Sequence, residues 1–285
     1  MILSISGDLG SGKSILANAL VERWEADRYS TGMVQRRIAD RLGITTLELN
    51  RRAETDKSID DQIDSVFKNL AKTPKNLVVD SRMAFHFLPM SFRIKLEVHP
   101  RVAAGRIQND TSRIGEGQYQ TIEDIEEAII ARKASERARF KNYYDADIED
   151  HAGYDLVINT TGCDPGSVSQ LANESIMLWK KGLPTEKFWM SPKQLYPVTD
   201  PDTIDAVLAE RNKVNWPITG AWAPDAVLAQ RAGNLYVAQS GADWVSSGLR
   251  AGKTLMPVWL KPGATEMPDP TITAKWEESH KFKHL

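Results

Sequence analysis

ISGDLGSGKS, residues 5–14, decides the reading of the first half of the chain. Gly7, Gly12, Lys13 and Ser14 satisfy the pattern G-x-x-x-x-G-K-[ST], in the context that pattern requires. Before it, Ile2, Leu3 and Ile5 make a short buried strand; after it, Leu16, Ala19, Leu20 and Trp24 recur at helical spacing. A glycine-rich turn between strand and helix lets backbone N–H groups converge on phosphate oxygens, and the helix N-terminus adds partial positive charge. In that geometry Lys13 reaches the β/γ-phosphates and Ser14 binds Mg²⁺, while Gly10 and Ser11 complete the nucleotide cradle.

Working outward, strand character returns at Leu77–Asp80, Ile94–Val98 and Leu156–Asn159, with helical patterns between. Such alternation predicts an α/β fold with a mainly parallel sheet flanked by helices. Val34, Ile38 and Leu42 mark one helix, ended by Gly43; Thr45 with Glu48 is a capping pattern. Ile59, Ile63, Val66, Phe67 and Leu70 mark another helix face. Thr121 and Asp124 cap a third, and Asp164-Pro165 starts the helix that reaches Trp179.

With 285 residues, two domains are the better expectation. Seven of eight tryptophans lie from Trp179 onward and ten of fourteen prolines after Gly182, which places the boundary in KKGLPTEK, residues 180–187. The expected domains are 1–183 and 184–285. A net charge of −2 gives no basic footprint, so it lends no support to a nucleic-acid partner while leaving one open. The single cysteine, Cys163, forms no internal disulfide, and no charged-then-apolar leader precedes the first strand. Nor does any apolar run approach the roughly 18 residues that span a bilayer. A cytoplasmic protein without a membrane partner is expected.

Asp80 ends the apolar run NLVVD; a carboxylate at a strand end beside such a loop commonly orients Mg²⁺ or its waters. Phosphoryl transfer spreads charge over several oxygens that guanidinium groups bind in pairs. The candidates are Arg36, Arg82, Arg132, Arg137 and Arg139, and Arg137 reads most readily as a solvated position. Asp8, the second residue of the loop, is either an exposed loop residue or a proton acceptor. A monophosphate acceptor is already an oxyanion and needs no base, whereas an alcohol gains from a carboxylate that takes its proton.

ISGDLGSGKS, YSTGMVQR (29–36), DKSIDDQID (56–64), VVDSR (78–82), ARKASERARFKNYYDADI (131–148) and YDLVINTT (154–161) together, in this order, resemble the cytidylate kinase-like nucleoside monophosphate kinases. The resemblance covers residues 1 to about 178. It implies a P-loop kinase fold, ATP as donor, Mg²⁺ and a lid closing over the phosphates. Arg132 and Arg139 match its lid-side arginines, and Arg36 and Arg82 match residues that hold the acceptor nucleotide. Two positions depart from it: Asp8 stands where the family has an apolar residue or proline, and Met33 where it has an acidic or small one. SPKQLYP (191–197), WPI (216–218) and the stretch from Asn234 to Leu260 resemble a smaller α+β, ParB-like domain. Its usual charged run before the helix is replaced here by Gly241-Ala242-Asp243-Trp244. Trp216, Trp222 and Trp244 are either core residues or a stacking surface for a base.

These readings predict an ATP- and Mg²⁺-dependent phosphotransferase acting on a nucleoside monophosphate, with CMP or dCMP first. The alternatives are a kinase of a hydroxyl acceptor, on a small metabolite or a hydroxymethylated base in DNA, and a non-catalytic nucleotide-dependent regulator.

Overall fold

A computed structural model describes residues 1–53, 55–62, 75–109, 121–210 and 227–280. The chain divides into two compact units, Met1–Asp155 and Leu156–Leu285.

The first unit is built on parallel strands. The predicted first strand is β1 (Ile2–Gly7), and it leads into α1 (Lys13–Trp24). β1 lies between β3 (Leu77–Asp80) and β4 (Phe92–Glu97), parallel to both, with Ile2 opposite Leu77 and Leu3 opposite Phe92. Leu3, Ile5, Val78, Val79, Ile94 and Leu96 are buried; the apolar run is unbroken only in β3, as a strand covered on both faces requires, whereas β1 and β4 carry Ser4, Ser6 and Lys95 between their apolar residues. β2 (Asp27–Ser30) pairs with the other side of β3. DRYS carries no apolar run and its first residue is exposed, which is why periodicity did not announce it.

The helices follow their caps. α2 (Thr31–Leu42) ends on Gly43, whose left-handed backbone (φ 66°) lets its N–H bond to Ala39 O. α3 (Thr46–Ala53) begins after Thr45, whose hydroxyl accepts Glu48 N–H. Residues 57–62 are helical and Ile59 is buried; Ile63, Val66, Phe67 and Leu70 lie outside the described residues. α4 (Ala84–Phe87) is a single turn after β3, and α5 (Pro100–Gln108) follows β4. α6 (Ile122–Tyr144) starts with the predicted capping box, Thr121 and Asp124 satisfying each other's backbone N–H. Apolar clusters hold these helices: one joins Ile38, Leu49 and Ile59 to Leu77, Val79 and Leu88, another joins Val98, Ala103 and Ala104 to Ile125 and Ile129, and a further one joins Met83 to Phe140, Ala146 and Ile148.

In the second unit β5 (Leu156–Asn159) runs parallel to β6 (Phe188–Met190), and β10 (Met256–Pro257) pairs antiparallel with β6. α7 (Pro165–Lys180) starts where Asp164 caps it by accepting Ser167 N–H. A four-stranded sheet has the order β11 (Trp259–Ala264), β8 (Leu228–Ala232), β9 (Leu235–Ser240), β7 (Leu195–Pro197). α8 (Pro201–Glu210), α9 (Ala242–Arg250) and α10 (Pro270–Ser279) accompany it. Trp276 is fully buried and donates to Leu195 O at 3.1 Å. Trp244 is half-buried on α9, while Trp216 and Trp222 lie outside the described residues. No helix among the described residues is long and apolar enough to cross a membrane.

Candidate active site

The glycine-rich loop needs its glycines for two separate reasons. Gly7 (φ 143°) lies against β4: a Cβ there would meet Leu96 O at 2.1 Å. Gly10 (φ 75°) packs on α5, where a Cβ would come within 2.9 Å of Ala103. Gly12 (φ 91°) has open space around it but holds a left-handed backbone as the N-cap of α1, with no side chain capping the helix. The first-turn N–H groups of α1 therefore border the loop as donors for an anion. Lys13 Nζ reaches back across the turn, donating to Gly7 O (3.0 Å) and Asp8 O (2.6 Å). Ser11 Oγ donates to Asp8 O at 2.8 Å, and Arg106 Nη1 from α5 to Gly10 O at 3.1 Å. Ser14 is exposed on the first turn of α1.

Beside this loop a cleft encloses about 420 Å³, its open mouth included, lined among others by Gly7, Asp8, Arg82, Arg132, Lys133 and Glu149. Arg82 and Arg132 meet there through one carboxylate: Glu136 pairs with Arg82 and accepts Arg132 Nε at 3.0 Å. Burial, with Arg132 and Arg139 nearby, lowers the Arg82 guanidinium to about 9, still charged at neutral pH. Arg139 shares the α6 face of Arg132 and Glu136 by helical spacing, yet its partners are elsewhere. Its guanidinium donates to Asn50 O at 3.3 Å and pairs with Asp60 at 3.5 Å. Arg36 is exposed on α2, without a hydrogen bond or ion pair among the described residues. Arg137 is a half-exposed partner of Asp147, as its solvated reading predicts.

Asp80 closes β3, in register with Ile5 and Ser30, and its Oδ2 accepts Arg28 Nη2 at 3.2 Å. Arg28 belongs to β2, the strand that periodicity missed. One carboxylate and one hydroxyl, Asp80 and Ser14, suit Mg²⁺, which takes one or two carboxylates and keeps water and phosphate oxygens as its other ligands. No group of three or more His, Cys, Asp or Glu that could hold a metal occurs among the described residues.

Asp8 is not an exposed loop residue. Its Oδ2 accepts Val98 N–H at 3.1 Å and its Oδ1 pairs with Lys133 Nζ at 2.9 Å. Lys133 also reaches Glu149 (2.9 Å), which pairs with Lys95 (3.2 Å), which pairs with Glu97 (2.9 Å), which meets His151 Nε2 at 2.7 Å. Burial pulls Lys95 and Lys133 downward, but the carboxylates on either side outweigh it and hold both raised. Burial would raise Glu97 and Glu149; Lys95, with His151 on Glu97 and Lys133 on Glu149, outweighs it and holds both carboxyls low. Sequence reading missed this chain. A signal existed: Lys95 and Glu97 are two apart in a strand and so share one face, opposite the one carrying Ile94 and Leu96.

The Cytidylate kinase-like family matches residues 2–162. Cytidylate kinase of Natronomonas pharaonis is 34% identical over 178 residues, 62% of this chain and 89% of that protein. Cytidylate kinase of Methanocella arvoryzae is 35% identical over 181 residues, 64% of this chain and 99% of that protein. Among solved structures, shikimate kinase from Bacteroides thetaiotaomicron covers 62% of this chain and 99% of its own, with 17% identity and a TM-score of 0.47. The glycine loop between β1 and α1, the arginine-bearing helix α6 facing it, and the match over residues 2–162 place this chain in the cytidylate kinase-like family of P-loop kinases.

Proposed function

We propose that this protein transfers the γ-phosphoryl group of ATP to a nucleoside monophosphate, CMP or dCMP before others. The observation that carries the reading is the state of Asp8. A base for an alcohol acceptor needs a carboxylate turned to the substrate, whereas Asp8 has one oxygen on a backbone N–H and the other on Lys133. A monophosphate oxyanion needs no proton removed. In the reaction an oxygen of that monophosphate forms a bond to the γ-phosphorus, the bond from the γ-phosphorus to the bridging β-oxygen breaks, and ADP leaves.

The chain's contribution is positioning and charge. Gly7, Gly10, Ser11 and Gly12 shape the loop around the donor phosphates, with Lys13 at the β/γ end. Arg132 binds the transferring group from the lid side and Arg82 holds the acceptor, while Arg139, now on Asn50 O and Asp60, and Arg36, exposed on α2, join them as the lid closes. In the described arrangement Arg132 and Arg82 are already shared by Glu136, so phosphates would draw two cations from one carboxylate. Ser14 and Asp80 would hold Mg²⁺, which neutralises charge on the phosphates. Residues 184–285 serve as a ParB-like accessory module; the four-stranded sheet with α8, α9 and α10 supports its α+β character.

The test is an acceptor screen on the full chain with ATP and Mg²⁺, following ADP with CMP, dCMP, the other nucleoside monophosphates and hydroxyl acceptors. ADP formed with CMP or dCMP, and not with alcohols, is expected. Turnover confined to a hydroxyl acceptor would overturn the reading.

A further inference from the structure

Lys133 is the feature that the family resemblance does not account for. It lies one residue beyond Arg132 on α6, lines the cleft, and touches the glycine loop through a side chain: its Nζ is 2.9 Å from Asp8 Oδ1. The same Nζ is 2.9 Å from Glu149 Oε2, so two carboxylates from separate segments fix it. Glu149 is itself fixed by Lys95, nearly fully buried on β4. Asp8 is fixed by Val98 N–H. The ammonium group therefore has a built position at the loop, on a helix packed through Ile125 and Ile129 on the apolar cluster of Val98, Ala103 and Ala104.

A carboxylate inside a phosphate-binding loop repels the ligand that the loop is shaped to hold. The chain places a lysine on that carboxylate, and the lysine's side chain is about one-third exposed to the cleft. An ammonium has three donor protons and no acceptor, so it can keep Glu149 and exchange Asp8 for a phosphate oxygen without moving the helix. We propose that Lys133 is a phosphate-contacting residue of this site, and that Asp8 and Glu149 are positioning residues that hold it at the loop. The proposal rests on the phosphotransfer reading and adds to it a residue for phosphate binding, and it gives Asp8 a role other than that of a base.

The experiment uses the full chain in four forms, wild type, Lys133→Met, Lys133→Arg and Asp8→Asn/Lys133→Met, with Lys133→Gln in reserve should the Met variant unfold. Each is measured for melting temperature, for ADP binding by calorimetry, and for kcat and KM with ATP and CMP. The expected result is a folded Lys133→Met with weaker ADP binding and kcat down by about tenfold or more. Lys133→Arg should recover most of both, because the charge returns. The double variant should regain only the part of the loss that the uncompensated Asp8 charge causes and stay clearly below wild type. Wild-type ADP affinity and kcat in Lys133→Met would overturn the proposal. So would a double variant restored to wild type, since Lys133 would then only cancel Asp8. ADP binding needs no acceptor, so a wild type that phosphorylates no nucleoside monophosphate refutes the phosphotransfer reading while the binding comparison still decides the role of Lys133.

Discussion

Replacing Gly7 by alanine tests how the loop is joined to the sheet. The new Cβ would sit 2.1 Å from Leu96 O, 2.8 Å from Leu96 N and 2.9 Å from Leu96 C, all backbone atoms of β4. No side chain can swing away, so β1 and β4 must separate where Gly7 faces Leu96. That movement loosens the bond from Asp8 N–H to Leu96 O, now 2.9 Å. A non-glycine residue at φ 143° adds backbone strain. Strain of about 1–3 kcal/mol and one or two backbone hydrogen bonds at about 1 kcal/mol each give a loss of about 2–5 kcal/mol. For a unit of this size the melting temperature should fall by about 5–20 °C. Gly43→Ala is the control: Gly43 also has positive φ, 66°, but nothing lies within 4 Å of its Cβ position, so only the strain, about 1–2 kcal/mol, remains. Thermal unfolding followed by circular dichroism, with ADP binding in parallel, reads both. Gly7→Ala melting within about 2 °C of wild type, with ADP affinity intact, would refute the packing argument.

Other substitutions probe the cations and the charge chain. Arg132→Ala and Arg139→Ala should lower kcat more than they weaken ATP binding, since lid arginines act mainly after closure; unchanged kcat at saturation would make both structural charges. Asp8→Asn separates acceptor classes: for an alcohol kcat should fall by about 10²-fold, while on CMP the loss should stay well short of that because Glu149 still holds Lys133. Lys95→Met leaves Glu97 and Glu149 without their shared cation and should cost about 3 kcal/mol or more at neutral pH, measured by urea unfolding. The pH dependence has a definite sign. Both carboxyls are held below their ordinary 4.5 in the folded protein, so their stabilisation is fully present above that value and is lost as pH falls from it through their lower folded values. In Lys95→Met protonation relieves the repulsion instead, so the gap to wild type should narrow on acidification; a gap that widens would contradict the charge chain.

Features encoded by neighbours in sequence were legible in advance. The loop, the strand–helix alternation, the capping box at Thr121 and Asp124 and the helix start at Asp164 all depend on residues within a few positions of each other. β2 was not legible, because an edge strand paired on one side can carry DRYS without an apolar run. Missing β2 also hid Arg28, the partner of Asp80. The charge chain was hidden for a different reason. Lys95 and Glu149 are 54 residues apart, and nothing in strand or helix periodicity says which distant charges will meet. Lys133 and Arg139 are cations of one helix, and of the two only Arg139 was singled out from the sequence. Only the packing shows that one faces the glycine loop and the other faces Asn50 and Asp60.

The most direct test of the central claim is CDP formation from CMP by the full chain with ATP and Mg²⁺, wild type beside Lys13→Ala. Lys13 neutralises charge on the transferring group and is not part of any buried apolar cluster, so the variant should fold, with only the small fall in melting temperature that losing its bonds to Gly7 O and Asp8 O causes. Wild type should form CDP and ADP in equal amounts, and Lys13→Ala should do so at a rate at least about 10²-fold lower. Folded wild type that makes no CDP, or folded Lys13→Ala that makes it at the wild-type rate, would contradict the account.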